Sequence, residues 1–139
     1  MALAPCVNTS STARSFVDAC ACGSSMIFST VLLVFEDRPI GYLKFYPQFY
    51  PITGEERAGS IFAIDQFIGE VSLWNRGIGT RAVRLLLRYL FRVKHASKVI
   101  LDPHAGNKRA IRCYEKCGFA RSGCWRSTSF MRVNAGTVG

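Results

Sequence analysis

Ile61-Phe62-Ala63-Ile64-Asp65-Gln66-Phe67-Ile68 is an apolar run interrupted only by the polar neighbours Asp65 and Gln66. Its length and its apolar character on both faces predict a strand inside a sheet, in which a carboxylate is unexpected unless it has a role. A loop over 69–75 follows, and a helix then runs from about Gly77 to Lys94 with an apolar stripe at helical spacing. We expect this strand, loop and helix to form the centre of the fold.

The segment that opens this helix is Arg76-Gly77-Ile78-Gly79-Thr80. Glycine lets a backbone approach a ligand closely, and the amides of a first helical turn have no partner inside the helix and lie at the positive end of its dipole. The segment therefore predicts an anion site. It matches neither the dinucleotide-binding glycine pattern nor the Walker sequence, so a tight turn with glycines needed only for packing is the alternative.

The sequence on either side predicts further strands and one more helix. An apolar, β-branched run, a short turn and a second apolar run are typical of an antiparallel hairpin. Asn107 caps the second helix, and Gly118 ends it. In chain order the predicted elements are strands over 31–35, 40–46 and 61–68, the helix over 77–94, a strand over 98–101, the helix from Asn107 to Gly118, and strands over 119–125 and 129–133.

This order of elements predicts an α/β (α+β mixed) fold, with a mixed, largely antiparallel sheet and helices on its faces. The 139 residues fit one domain, which we place at residues 26–135. Residues 1–25 form a poorly defined N-terminal segment. Within it, Thr12 to Ala21 is compatible with a short helix capped by Ser10 or Ser11.

Composition narrows the classes of partner. Lys and Arg number 18 against 9 Asp and Glu, which favours anionic partners. No zinc finger, RNA-binding strand motif or helix-turn-helix is present, so we predict no nucleic-acid partner. The six cysteines lack the C-x-x-C pairs of a structural zinc site, and we predict no metal.

The longest apolar run is too short to span a bilayer, and we expect a cytoplasmic location. The sequence leaves the oligomeric state open.

Several stretches resemble the GNAT superfamily of N-acetyltransferases, most closely the bacterial aminoglycoside 6'-N-acetyltransferases. The resemblance covers residues 31–123, and its last motif is the most specific because it holds several residue types at fixed spacing. The matching stretches are Ile64 to Glu70, Leu73 to Thr80, Asp102-Pro103, Asn107, Arg109-Ala110-Ile111-Arg112-Cys113-Tyr114-Glu115-Lys116 and Gly118-Phe119. The resemblance implies a GNAT-like sheet, acetyl-CoA as co-substrate, and direct acetyl transfer to a small-molecule amine, with an aminoglycoside, in antibiotic resistance, as the candidate acceptor.

The same resemblance implies where acetyl-CoA lies. The pantetheine arm would follow the strand from Asp65 through Phe67 and Ile68. The pyrophosphate would rest on the amides of the segment from Arg76 through Gly77, Ile78 and Gly79 to Thr80, which makes the predicted anion site a phosphate site. Asn107 and Ala110 would line the groove on its other side.

Two residues would carry the chemistry. Asp65 would hold the substrate ammonium and accept its proton, and Tyr114 would protonate the departing thiolate. A tyrosine packed in the core, with its hydroxyl on a backbone carbonyl, is the alternative for Tyr114. Asp102 and Glu70 are predicted to bind the substrate, because a polycation is best held by several carboxylates; an exposed loop position is the alternative for Glu70.

The N-terminal side departs from the family. Only residues 1–25 precede the hairpin, where the family has a strand and one or two helices that help to bind the acceptor. We therefore expect a shortened N-terminal part, with an acceptor side that is rebuilt, open or impaired. Two alternatives follow: an acetyltransferase for a siderophore precursor or a protein N-terminus, and a catalytically degenerate CoA-binding GNAT fold.

Overall fold

The computed structural model describes residues 29–48, 61–123 and 127–137, and the backbone alone at 7–9, 13–19 and 124–125. In this part of the chain, eight strands form one sheet in the order β1-β2-β3-β4-β5-β6-β8-β7. The strands are β1 Val7–Thr9, β2 Ala13–Ala19, β3 Ser29–Phe35, β4 Arg38–Pro47, β5 Ile61–Ile68, β6 Lys98–Leu101, β7 Ala120–Trp125 and β8 Thr128–Asn134.

Two helices connect these strands. α1 Ile78–Arg92 links β5 to β6, and α2 Lys108–Lys116 links β6 to β7, while a short 3-10 helix at Val71–Leu73 precedes α1. Of the neighbouring strand pairs, β5 with β6 is parallel and the others are antiparallel. The predicted mixed, largely antiparallel sheet is confirmed, and each predicted element from β3 onward is present.

The N-terminal strands differ from the sequence prediction. The short helix predicted over 12–21 is wrong, because β2 occupies Ala13–Ala19 and pairs antiparallel with β3. Phe16 lies opposite Leu32 and Val17 opposite Val31, so the backbone of β2 is satisfied by the edge of β3 instead of by a helix. β1 and β2 precede residue 26, and the division between residues 1–25 and 26–135 stays a prediction.

Both helices pack into one hydrophobic core against one face of the sheet. Alternate residues of β5, Phe62 and Ile64, join this core, as do Val83 and Leu87 of α1, which are fully buried. The opposite face carries a smaller cluster of Ile61, Ala63 and Ile100, with Tyr46 packed against it. Because side chains alternate along a strand, Asp65 extends the face that begins with Ile61 and Ala63.

The parallel pair of strands separates early, and this separation positions the site. β5 pairs with β6 only from Ile61 to Ala63. Beyond that point β5 continues to Ile68 with β4 on one side, and the described residues of β6 do not accompany it on the other. The final part of β5 therefore presents a backbone edge to the space that α1 and α2 enclose.

Candidate active site

A groove of about 570 Å³ lies along that free edge of β5. One wall is the end of β5, the floor is the segment from Leu73 to Thr80, and the other wall is α2. It brings together most of the residues that the sequence analysis predicted for cofactor binding, and Tyr114. The predicted residues that line it are Phe67, Ile68, Gly77, Ile78, Gly79, Thr80, Asn107, Ala110 and Tyr114.

The start of α1 forms a cradle of backbone amides. Gly77 caps the helix with a φ of 77°, a left-handed conformation that favours glycine, and no atom lies within 4 Å of where a Cβ would be. The amide of Arg81 donates to the Gly77 carbonyl at 3.0 Å and begins the helical ladder. The amides of the preceding first-turn residues consequently have no partner within the helix and suit an anion.

Arg76 lies apart from the groove's lining. Its guanidinium stands 5.4 Å from the centre of the Phe35 ring, against the hairpin of β3 and β4. A contribution of Arg76 to anion binding would therefore come from its backbone.

Asn107 begins α2 as the sequence predicted. Its side-chain oxygen accepts a hydrogen bond from the amide of Ala110 at 3.2 Å. This cap fixes the start of α2, where Asn107, Arg109 and Ala110 line the groove.

Among the groove residues that were not predicted as site residues are Gln66, Trp74 and Arg109. Gln66 donates to the carbonyl of Gly79 at 3.1 Å and ties β5 to the start of α1. Trp74 donates to the carbonyl of Ile68 at 3.0 Å, and the Arg109 guanidinium stacks 3.5 Å from the centre of the Trp74 ring. The sequence carried a signal for Gln66, because a polar residue stands out within an apolar strand. It carried no signal for the stack, because Trp74 and Arg109 lie far apart in the sequence.

Tyr114 is buried in the wall formed by α2. Its ring packs edge-on against Phe119, with centroids 5.9 Å apart, and its hydroxyl donates no hydrogen bond to another described residue. Burial raises the pKa of Tyr114 most, and the neighbouring Cys113 and the Asp65 carboxylate raise it further. The hydroxyl thus stays protonated at neutral pH and is able to donate a proton or a hydrogen bond.

Asp65 lies on the opposite face of the sheet from the helices and outside the groove's lining. Burial raises the pKa of Asp65, the Asp102 carboxylate raises it further, and Lys44, its cross-strand neighbour, lowers it. Burial raises the pKa of Tyr46 most, and the Asp65 and Asp102 carboxylates raise it further. Tyr46 therefore belongs to this cluster, although the sequence did not predict it there. The cluster suits an ammonium ion.

Glu70 stands apart from that cluster. It is exposed at the start of the 3-10 helix and accepts a hydrogen bond from the Ser72 hydroxyl at 3.2 Å. An exposed loop position was the alternative that the sequence allowed for Glu70, and a substrate role for Glu70 stays a prediction.

Neither a metal site nor a membrane-spanning helix has a candidate among the described residues. These residues contain no group of three or more His, Cys, Asp or Glu side chains that could hold a metal ion. They also contain no helix of the length and apolar character needed to cross a membrane.

The model of the acetyltransferase (GNAT) domain matches residues 11–126. The chain belongs to this family. Among curated proteins, the GNAT domain is 41% identical over 88 residues to aminoglycoside N(6')-acetyltransferase type 1 of Klebsiella pneumoniae, a match that covers 61% of this chain and 44% of that protein. It is 44% identical over 69 residues to the kanamycin resistance protein of Rhizobium radiobacter, covering 50% of this chain and 64% of that protein. The chain thus spans less than half the length of the first relative.

Solved structures agree with the fold of this GNAT domain. The aminoglycoside acetyltransferase AAC(6')-Ib in complex with coenzyme A superposes with a TM-score of 0.66 at 32% identity, over 77% of this chain and 66% of that one. A spermidine N-acetyltransferase from Vibrio cholerae, in complex with CoA and spermine, superposes with a TM-score of 0.64 over 80% and 68% of the two chains. At 16% identity this second likeness shows the fold alone. The family and fold predicted from the sequence are confirmed.

Proposed function

We propose that the groove binds acetyl-CoA and that the domain transfers its acetyl group to an amine of a small molecule, of which an aminoglycoside is the leading candidate. The observation that carries this proposal is the juxtaposition of three features along one groove. The free edge of β5 can pair with the amide groups of pantetheine, the open amides of α1 can bind pyrophosphate, and Tyr114 stands on the facing wall.

The groove residues fit this ligand chemically. Its polar surface includes backbone amides and the Arg109 guanidinium, which makes no hydrogen bond or ion pair with another described residue. A guanidinium whose face is stacked keeps its edge available for a phosphate. The excess of positive charge in the chain also favours a ligand that carries phosphate groups.

Acetyl-CoA supplies the thioester carbonyl that a neutral amine attacks. Asp65 would hold the incoming ammonium and accept its proton at a carboxylate oxygen, directly or through a water molecule. Its raised pKa brings the carboxylate closer to the value of an effective base at neutral pH. Tyr114 would donate the proton that the departing sulfur requires, and Asp102 would add a second negative charge for a polycationic acceptor.

Two predictions from the sequence accompany this proposal. We place the acetyltransferase domain at residues 26–135, with β1 and β2 as an addition to its sheet, and we propose a cytoplasmic location, where acetyl-CoA would be supplied by metabolism. Sedimentation of a chain beginning at residue 26, compared with the full chain, would test the boundary.

Calorimetric titration with acetyl-CoA tests the cofactor step. We expect saturable binding to the folded chain, and we expect Ala110→Glu to weaken it at least tenfold, because the new carboxylate fills the groove and repels phosphate. Ala120→Glu is the matched control, since Ala120 is exposed on β7 outside the groove's lining. Absence of binding at high micromolar ligand, with a folded circular-dichroism spectrum, would show that the cofactor proposal is wrong.

The acceptor is tested by release of free thiol from acetyl-CoA. Kanamycin, a peptide N-terminus and a hydroxylamine-type siderophore precursor would be compared at equal concentration. Turnover with kanamycin supports the leading candidate, and turnover with peptides alone contradicts it. If acetyl-CoA binds and no amine turns over, the catalytically degenerate alternative replaces the enzymatic proposal.

The stack of Arg109 on Trp74 should strengthen cofactor binding. We expect Trp74→Ala to weaken acetyl-CoA binding by about 3- to 30-fold, because the ring holds the guanidinium at the groove. Trp74→Phe keeps an aromatic face and should lose less. A double-mutant cycle with Arg109→Ala separates this effect from lost packing, since additive losses would mean that Trp74 does not act through Arg109.

A further inference from the structure

Two cysteines of α2 contact the first turn of α1. Cys113 lines the groove half-buried, and its sulfur lies 3.4 Å from the hydroxyl oxygen of Thr80. Cys117, four residues along the helix and buried, donates from its sulfur to the backbone carbonyl of Thr80 at 3.5 Å. Thr80 is the third residue of α1, so both sulfurs stand at the N-terminal end of that helix.

Several features of this position favour the thiolate form of Cys113. The Cys117 thiol lowers its pKa most through a hydrogen bond, burial opposes this, and the Thr80 hydroxyl, Lys116 and Arg84 lower it further, to about 6. The unpartnered amides at the start of α1 act in the same direction, as they do for reactive cysteines at helix N-termini. The single proton of Cys117 is shared between the Thr80 carbonyl and the Cys113 sulfur. The hydrogen bond with Cys113, burial and the negative charge of Cys113 together raise the pKa of Cys117.

We propose that Cys113 is a reactive thiol at the phosphate end of the groove, and that its modification by a small disulfide or another soft electrophile blocks acetyl-CoA. The second half of this statement rests on the proposed function, because it assumes that the cofactor's phosphates occupy the cradle beside Thr80. The first half concerns the free protein alone.

The exchange step is balanced without a further reactant. The Cys113 thiolate attacks one sulfur of a small disulfide, a bond forms between the two sulfurs, and the original disulfide bond breaks. Cys113 is oxidised, and the other half of the disulfide leaves as a reduced thiolate that takes a proton from solvent. A small thiol restores Cys113 by the reverse reaction.

The adduct and the cofactor would exclude each other for two reasons. A group attached to the Cys113 sulfur occupies space next to Thr80, where the first-turn amides of α1 open into the groove. A bound pyrophosphate also places negative charge beside the sulfur, which disfavours the thiolate. Acetyl-CoA should therefore protect Cys113 from modification.

Alkylation of the whole chain by iodoacetamide, mapped by peptide mass spectrometry, tests the thiol. We expect Cys113 to react about tenfold faster at pH 6 in the folded protein than in the denatured protein, with a rate midpoint near pH 6. Cys117→Ala should move that midpoint upward, because it removes the hydrogen-bond donor. A midpoint near that of an ordinary cysteine, about pH 8.5, would overturn the inference.

Protection and blocking test the second half. Saturating acetyl-CoA should slow alkylation of Cys113 at least tenfold, and glutathione disulfide should abolish acetyl-CoA binding to the native chain until a small thiol removes the adduct and restores it. Acetyl-CoA binding that survives complete modification of Cys113 would overturn the blocking role. If Cys113 shows the low midpoint while acetyl-CoA does not bind at all, the proposed function fails and the reactive thiol stands. If acetyl-CoA binds and the midpoint is ordinary, the thiol inference alone fails.

Discussion

Replacing Asp65 with asparagine should lower kcat for acetyl transfer by about 100- to 10 000-fold, the range that general-base catalysis contributes. Asparagine keeps the shape of the side chain and cannot accept the proton of the substrate ammonium. Acetyl-CoA affinity should change little, because Asp65 lies outside the groove's lining. Steady-state kinetics with the best acceptor, together with calorimetric titration of acetyl-CoA, would measure both effects, and unchanged turnover would remove Asp65 from the mechanism.

The melting temperature of Asp65→Asn, compared with that of the native chain, is the control for a loss of activity through unfolding. The pKa of Asp65 is raised in the folded chain, so the folded state binds a proton more tightly than the unfolded state. The folded state therefore loses stability from this group as pH rises through the raised pKa, and the ionised carboxylate is unfavourable at neutral pH. Asp65→Asn should melt at the same temperature as the native chain or slightly higher, so lost activity cannot be ascribed to unfolding.

The same carboxylate sets the acid limb of the pH profile. Activity should fall as pH drops through the raised pKa of Asp65, because the protonated form no longer accepts a proton. Lys44→Met should shift this limb to higher pH, since Lys44 lowers the pKa of Asp65, and Asp102→Asn should shift it to lower pH. If neither variant shifts the acid limb, a group other than Asp65 controls the pH profile.

Replacing Gly41 with alanine should destabilise the chain by about 4 kcal/mol or more, a loss at the extreme of single substitutions. A Cβ at this position would stand 2.0 Å from the carbonyl oxygen of Phe67 and 2.9 Å from the Cα of Ile68. Both contacts are with backbone, so β4 and β5 would have to part where Gly41 pairs with Ile68. Because Phe67 and Ile68 also line the groove, acetyl-CoA binding should weaken in whatever folded fraction remains.

Gly123→Ala is the matched control for this substitution. Gly123 is also on a strand, β7, and no atom lies within 4 Å of a Cβ built there. Its unfolding free energy, measured by denaturant titration, should stay within about 0.5 kcal/mol of the native value. Equal stability of Gly41→Ala and Gly123→Ala would contradict the close approach of β4 to β5.

The elements with strong local signals were predictable. The apolar stripe of α1, the cap of α2 at Asn107 and the mostly apolar run of β5 each lie within one short stretch, and each was found close to its place. β2 was not found, because Ala13–Ala19 has weak periodicity and its conformation depends on pairing with β3, which begins ten residues after β2 ends. Pairing over such a distance leaves no mark on the local pattern.

By itself, the sequence determined the family, the glycine segment at the start of α1 and the presence of Asp65 and Tyr114, since these depend on residue types at fixed spacing along one segment. Only the tertiary structure decided that β5 leaves β6 after Ala63, which opens the groove that those residues line or flank. It also decided the contacts of Trp74 with Arg109 and of Thr80 with Cys113, and it brought Asp102 near enough to Asp65 to raise the pKa of Asp65. The physical reason is that the reactivity of a carboxylate, a guanidinium or a thiol follows from burial and neighbouring charge, and packing between distant segments sets both.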